Sequence, residues 1–468
     1  MRSTQLSDDK EEEASRRSAT FLICALQCDA PLTGSSRHAL RGLDEVRIQR
    51  GDPAHLRARE GGRLVLRLSL PDRKLSSSHA RLKRDNGTWL LEDLSSTNGS
   101  FIRGQRVQRA ELVPGDVIEL GSTIFLFSEL ETPGELVDDV SLRPGHAGAL
   151  TTLCPELAEN FARLERVAVS ELPVLLLGET GTGKDLLARA VHERSGRSGH
   201  FVPVNCGAIP GTLMEAQLFG YAKGAFTGAV KDELGFVRTA AFGSLFLDEI
   251  GDLPTSSQAA LLRVLQSGEV MPVGSAKPVH ADVRIIAATH QALERLMDSG
   301  SFRRDLYARL AGFVTHLPAL RDRLEDLGLL IGAVLLQQGG SWPNLRIRSD
   351  AARALFAHGW PLNVRELHQC LAAALVLSEE GVISLGDLPE PVQRSLGSLP
   401  PPPPTGNRPS QPARSVEDEA VHAALLDALQ ATEGNVSETA RRLGKARQQV
   451  QRWLRRFSID PERFRKLP

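Results

Sequence analysis

Four apolar residues, Val174–Leu177, run straight into Gly178-Glu179-Thr180-Gly181-Thr182-Gly183-Lys184-Asp185, and a helical pattern takes over at 186–193. No other stretch of this 468-residue chain restricts its fold as strongly. A buried strand, a glycine-rich turn and a helix opening at a lysine form a cradle for phosphates. Backbone N–H groups and the helix N-terminus face the anion, and Lys184 reaches its outer oxygens. Strands apolar on both faces need helices above and below, which makes the sheet parallel. Residues 245–247 and 283–287 are further strands of that kind, alternating with helical stretches, so the middle of the chain reads as α/β. Asp185 stands where generic loops place the Ser or Thr that binds Mg²⁺, so the metal needs another ligand. The strand Leu245-Phe246-Leu247 ends in Asp248-Glu249. Asp248 is placed to hold Mg²⁺, directly or through water, and Glu249 to orient a water attacking the terminal phosphate.

The chain is too long for one core, and about two to four domains are expected. Two proline- and glycine-bearing segments divide it, at 131–147 and at 396–414, the second with five consecutive prolines at 400–404. Such segments act as extended linkers rather than packed structure. They leave three parts, at 20–130, 148–395 and 415–468. Composition, 41% hydrophobic and 24% charged, is that of a soluble globular protein. With a net charge of −1, any nucleic-acid surface has to be local. The five cysteines, Cys24, Cys28, Cys154, Cys206 and Cys370, form no C-x-x-C pair and read as reduced, mostly buried thiols of a cytoplasmic protein. The apolar stretch 21–26 is too short for a secretory signal, and 327–336 is half a membrane span and reads as a buried helix, so no membrane is expected.

Short strand-like runs at 64–70, 89–91, 117–120 and 123–127 fill the first part. Asp85-Asn86-Gly87, Thr97-Asn98-Gly99, Pro114-Gly115-Asp116 and Gly121 punctuate them, a spacing that predicts a β-sandwich or barrel. The last part reads as helical. Seven basic residues and no acidic ones lie in 441–457, where Val450, Trp453, Leu454 and Phe457 form one apolar face. Lys445, Arg447, Gln448, Gln451, Arg452 and Arg455 fall largely elsewhere, available to phosphates and base edges. With the short helix closed by Gly444 before it, this predicts an all-α helix-turn-helix.

Gly224-Ala225-Phe226-Thr227-Gly228-Ala229 lies between the phosphate loop and the acidic strand end. With Val204-Asn205-Cys206, Leu218-Phe219-Gly220 and the segment 302–310, it resembles the sigma-54-dependent transcription activators (bacterial enhancer-binding proteins) of the AAA+ ATPases, over roughly residues 150–390. The resemblance implies a core at 148–317 and a helical lid at 318–395. It also implies ATP with Mg²⁺, a homo-oligomeric ring of about six subunits, and the sigma-54 RNA polymerase holoenzyme as partner. Asn205 matches the switch asparagine that restrains Glu249, and Thr289 and His290 match sensor I. Arg303 and Arg309 match arginine fingers that reach a neighbour's ATP, and Arg365 matches sensor II. Leu362 replaces the usual glycine before Asn363, which predicts a shifted turn, and Tyr221-Ala222 replaces the common His-Glu. Gly224 and Gly228 permit a tight exposed loop whose Phe226 and Thr227 grip the sigma factor.

Two further resemblances flank this core. Residues 433–454 are similar to Fis-type DNA-binding domains, which implies double-stranded DNA upstream of promoters, although Lys445-Ala446-Arg447 lacks the usual capping Ser or Thr. Ser76-Ser77-Ser78-His79-Ala80 and the segments 89–100 and 112–121 resemble a forkhead-associated (FHA) sandwich, which binds phosphothreonine proteins of Ser/Thr kinase pathways. Arg50, Ser76, Thr97 and Asn98 match its ligand positions, Ser77 is a further contact and His79 a scaffold residue. A cation, hydroxyls and an amide suit a phosphate dianion. Gln49 replaces the glycine that usually precedes the arginine, so the alternative is an FHA domain kept for docking or dimerisation, on a AAA+ remodeller or DNA-binding regulator.

Overall fold

The computed structural model describes residues 17–132, 137–145, 150–339 and 345–398, and, nearer the C-terminus, 425, 428–432, 436–443 and 450. The chain forms two compact units, 1–405 and 406–468.

The first unit opens with a two-sheet sandwich. One sheet runs in the order β5-β2-β1-β4-β3, where β1 is Arg17–Gln27, β2 Ser35–Ala39, β3 Asp116–Leu120, β4 Thr123–Thr132 and β5 Asp139–Leu142; the short strands Ser100–Ile102 and Gln105–Val107 extend it beyond β3. Six strands between Glu45 and Leu112 form the opposing sheet. Leu22, Ile118 and Phe125 from the first sheet meet Ile48, Leu66 and Leu82 from the second. The turns fall where Asn86, Gly87, Gly99, Gly115 and Gly121 supply positive φ.

A five-stranded parallel sheet follows, in the order β7-β8-β9-β6-β10: β6 Val174–Leu177, β7 Phe201–Asn205, β8 Ser244–Asp248, β9 Arg284–Thr289 and β10 Phe313–His316. Helices α1 (Pro155–Ala168) and α2 (Lys184–Arg194) cover one face, packing Phe161, Leu164, Leu187 and Val191 on Val174 and Ile286. Met214, Leu218 and Leu261 cover the other, against Leu175, Leu245 and Ile285. Burial on both faces is why these strands are continuous apolar runs.

The lid contains α3 (Leu327–Gln337), α4 (Ser349–Ala357) and α5 (Asn363–Leu377). Its core does not close on itself. Leu327, Ile331 and Val334 of α3 share one buried cluster with Phe21, Ile23 and Leu126 of the sandwich. Residues 21–26 are therefore buried on both faces of their strand, one face in the sandwich and the other under the lid. Two glycines make the approach close enough. A Cβ on Gly328 would lie 1.7 Å from the carbonyl oxygen of Ala25, and one on Gly332 would lie 2.4 Å from Pro144 Cγ. Ile347 N donates to Cys28 O at 2.9 Å across the same seam.

This corrects the expectation of a linker at 131–147. Asp139–Leu142 pairs antiparallel with β2 as the sheet's edge strand. Asp139 is tied to His38 at 2.7 Å and Arg57 at 2.6 Å. Burial opposes its ionisation, but those two hydrogen bonds prevail and hold the carboxyl well below the usual range. Among the described residues no helix is long and apolar enough to cross a membrane, and the five cysteines are free thiols, four of them buried.

In the second unit, α6 (Val436–Arg442) lies near the turn ending at Thr432, whose hydroxyl meets that of Thr439 at 2.7 Å. Lys445, Arg447, Gln448, Gln451, Arg452 and Arg455 lie outside the described residues, as do the linker residues 399–414.

Candidate active site

The carboxyl ends of the parallel strands form one edge, the place where open α/β sheets bind ligands. In register, Leu177 stands beside Thr289 and Asn205 beside Asp248. Gly178, Gly181 and Gly183 all carry positive φ, which bends the chain back before α2 opens at Lys184. The Lys184 ammonium is buried and donates to the carbonyls of Gly178 at 2.8 Å and Glu179 at 3.0 Å. Burial lowers its pKa, against the pull of Glu249 and Asp248.

The acidic pair faces this lysine. Burial raises the pKa of Asp248 and the neighbouring Glu249 raises it further, while Lys184 works the other way. Glu249 sits in the left-handed region at φ 52° and ψ 51°, a conformation that costs a non-glycine residue about 1–3 kcal/mol and is held only where its surroundings fix it. They do so here. Its Oε2 accepts from His290 Nδ1 at 2.8 Å, His290 N at 3.3 Å and Thr289 Oγ1 at 3.3 Å. All three bonds fall on one oxygen, so Oε1 is open to water.

Asn205 does not restrain Glu249 directly. Its Oδ1 caps the following turn, accepting from Gly207 N at 3.0 Å and Ala208 N at 3.2 Å. A carboxylate can accept only from the Nδ2 end of this side chain, and among the described residues no hydrogen bond joins that end to Glu249. At the turn expected to shift with Leu362, the positive φ falls on its neighbours. Leu362 sits at φ −105°, while Trp360 at φ 48° and Asn363 at φ 58° make the turn.

Three residues that the sequence motifs left aside hold the phosphate loop to the lid side. Arg321 forks onto Glu179 at 2.9 and 2.5 Å, keeping that carboxyl down at about 2. Arg323 donates to Thr182 O at 2.9 Å, and Asn363 Nδ2 to Thr180 O at 3.0 Å. A pair of arginines just before an apolar helix was the available signal. Arg365 lies beside them: its backbone N–H reaches Gly181 O at 3.3 Å, and its charge acts on Lys184. Asp185, by contrast, is exposed. Arg303 and Arg309 are exposed too, Arg303 forked onto Asp305 at 2.7 and 3.0 Å.

The loop 224–229 stands apart from this edge. Gly224 N donates to Ala229 O at 2.9 Å, and Gly224 and Gly228 take φ 81° and 104°. Phe226 is 44% exposed at the tip, leaning on Tyr221 with ring centres 5.0 Å apart. Thr227 and Gly228 are exposed, Ala229 is buried and Ala225 half-buried. Ala222 N donates to Val273 O, and Gly274 packs on Ala225, so the segment between Glu269–Val270 and Val279–His280 braces the loop.

On the sandwich, the recognition positions converge. Arg50 N donates to Ser76 O at 2.9 Å, Thr97 N to Ser76 Oγ at 3.1 Å, and Asn98 Nδ2 to Lys74 O at 2.7 Å. The side chains of Arg50, Ser77, Thr97 and Asn98 are exposed. His79 is buried, which lowers its pKa. Its Nδ1 accepts from Ser76 N at 3.1 Å and its Nε2 lies 3.2 Å from Gly99 O, which fixes the neutral Nε2–H form. Gln49 is pinned sideways to Ser69 Oγ at 3.1 Å.

A phosphate loop, an acidic strand end and a helical lid on a parallel sheet define a P-loop protein of the AAA+ class. Comparison with known proteins narrows this. The chain matches the sigma-54 interaction domain at 150–316, the AAA+ ATPase lid domain at 321–401, the FHA domain at 61–121 and the Fis-family bacterial regulatory protein at 422–457. It is 38% identical over 320 residues to the transcriptional regulatory protein GlrR of Escherichia coli strain K12, covering 68% of this chain and 70% of GlrR. It is 40% identical over 299 residues to the hydrogenase transcriptional regulatory protein HoxA of Bradyrhizobium diazoefficiens, covering 63% of this chain and 61% of HoxA. The chain belongs to this family of transcriptional regulators with a sigma-54 interaction domain. It spans less than two thirds of the length of HoxA and about half that of the acetoin catabolism regulatory protein of Cupriavidus necator, at 48%.

Proposed function

We propose that this chain is an ATP-hydrolysing transcription activator of the cytoplasm. As a hexameric ring it remodels sigma-54 RNA polymerase holoenzyme and opens promoters. ATP enters over residues 178–185, and Lys184 exchanges two loop carbonyls for the outer phosphate oxygens. Asp248 suits Mg²⁺, since burial and Glu249 both raise its pKa and an adjacent cation relieves both. When bound, Mg²⁺ neutralises charge across the outer phosphates. Glu249, gripped on Oε2 by Thr289 and His290, uses Oε1 to align the attacking water. Arg365 belongs to the same nucleotide site, and exposed Arg303 and Arg309 complete the site of the next subunit.

The step from hydrolysis to work follows the chain. Asn205, in register with Asp248, caps the turn Cys206–Ala208, which leads into helix Gly211–Phe219 and then into the loop. Movement at the phosphate edge is thus delivered to Phe226 and Thr227, which grip the sigma factor. The C-terminal domain binds double-stranded DNA upstream of promoters through Lys445, Arg447, Gln448, Gln451, Arg452 and Arg455. The sandwich binds a phosphothreonine protein through Arg50, Ser76, Ser77, Thr97 and Asn98.

One observation carries this reading: Lys184, Asp248, Glu249, Thr289 and His290 meet at one edge, and a continuous segment joins that edge to an exposed, glycine-bracketed tip. The test is open-complex formation on a sigma-54 promoter with purified polymerase and the full chain. ATP should open the promoter and a non-hydrolysable analogue should not. Hydrolysis without any opening would overturn the assignment.

A further inference from the structure

A cleft of about 510 Å³ lies where the sandwich meets the lid. Asp29 and Lys74 line it from the sandwich, and Arg346, Arg348, Asp350 and Arg353 from the lid. Neither part makes this cleft alone. Its cations are poorly matched. Arg348 reaches Asp350 only at 3.7 Å, and that carboxylate already caps Ala351 N at 2.8 Å. Arg353 stands 3.5 Å from Glu119, and its buried Nε has no hydrogen-bond partner. Among the described residues no ion pair forms on Lys74 or Arg346. A cluster of under-paired guanidinium groups is a site for carboxylates or phosphates.

The cleft is continuous with the recognition loops. The carbonyl of Lys74 accepts from Asn98 Nδ2 at 2.7 Å, and Ser76 is two residues further on. Lys74 thus belongs both to the wall of the cleft and to the loop that carries Ser76.

We propose that the ATPase lid reads the sandwich's partner directly: acidic residues flanking the phosphothreonine dock on Arg346, Arg348 and Arg353. The inference rests on the phosphothreonine reading of the sandwich. Recognition is then joint, with the phosphate on the sandwich loops and the acidic flank on the lid. Arg346 and Arg348 are exposed and stand just before α4, so replacing them leaves the buried seam in place.

The test uses the full chain and a peptide library with phosphothreonine fixed and all neighbouring positions degenerate. Wild type should enrich Asp and Glu on one side of the phosphothreonine. The double variant Arg346→Ala/Arg348→Ala should lose that enrichment while still requiring the phosphate. An acidic-flanked peptide should bind the double variant roughly three- to tenfold more weakly, as expected for two partly screened charge pairs, and a neutral-flanked one within about twofold of wild type. No acidic enrichment, or enrichment that survives the double variant, overturns the proposal while leaving the phosphothreonine reading intact. If the phosphorylated library binds no better than its unphosphorylated twin, or if Arg50→Ala changes nothing, the phosphothreonine reading falls and the lid proposal with it.

Discussion

Gly328→Ala adds one carbon to a helix that would otherwise welcome it, and it should separate the sandwich from the lid. Alanine is favoured over glycine in a helix interior by about 1 kcal/mol. Here the new Cβ would lie 1.7 Å from Ala25 O and 2.6 Å from Ala25 C, both backbone atoms of a strand buried on two faces. No side-chain rotation relieves that contact, so β1 and α3 must part by about 1 Å or more. A gap of about 0.5–1 Å already forfeits a quarter to a half of each dispersion contact across it. Overpacking a core typically costs about 1–3 kcal/mol. Backbone against backbone belongs at or above the upper end, which leaves a net loss of about 2 kcal/mol after the helix gain. At about 2 °C per kcal/mol for a unit this large, calorimetry of the full chain should show a midpoint lower by about 4 °C. Gly359→Ala is the control, because nothing lies within 4 Å of its added carbon. Equal midpoints for the two variants would refute the account of a close-packed seam.

Four further outcomes follow from the site. Lys184→Ala should abolish ATP binding, whereas Glu249→Gln should bind ATP without turning it over; radiolabelled ATP retention and phosphate release separate the two. Thr227→Ala should hydrolyse ATP at close to the wild-type rate and fail to open promoters, measured as permanganate reactivity. His290→Ala releases the shortest bond to Glu249 at 2.8 Å and should lower kcat about ten- to a hundredfold with little change in KM, in steady-state hydrolysis. Burial lifts Asp326 to about 6, so its contribution to stability is complete below about pH 4, the unfolded value, and is lost as pH rises through about 6. Asp326→Asn should flatten that part of the curve of thermal midpoint against pH.

The parallel core was legible because its information is local. Glycines at fixed spacing after an apolar strand, and two carboxylates at the end of the next, name their own geometry, and the structure brings Lys184, Asp248, Glu249, Thr289 and His290 together. Asn205 was legible in place but not in contact, because a motif fixes the position of an amide on its strand and not which polar group its Nδ2 meets in three dimensions. Leu362 in place of a glycine signalled a shifted turn, but not that the positive φ would fall on Trp360 and Asn363, which spacing does not reveal. The run 21–26 was visible as apolar, but an antiparallel strand buried on both faces needs a second partner, and that partner is 300 residues away. Gly328 and Gly332, four apart in a leucine-rich helix, were the trace of it. Proline and glycine in 131–147 suggested a spacer, while Asp139 between His38 and Arg57 makes an edge strand there instead.

A sensor on a free tether can change only how often a partner is found nearby. This sandwich is built into the lid, and polar contacts run from it toward the nucleotide edge. Arg37 of β2 donates to Leu153 O at 2.6 Å, and Leu153 N donates to Asp326 at 2.6 Å. Three residues before Asp326, Arg323 donates to Thr182 O in the phosphate loop at 2.9 Å. Contacts alone do not couple two sites; an element with two arrangements, biased from both ends, is required. On the nucleotide side the candidate for such an element is the phosphate loop, whose Lys184 holds carbonyls of its own loop. From the other side, Arg321, Arg323 and Asn363 grip the same loop at Glu179, Thr182 and Thr180. The seam at Gly328 and the fork at Glu179 are therefore joined by packed side chains and hydrogen bonds within one compact unit.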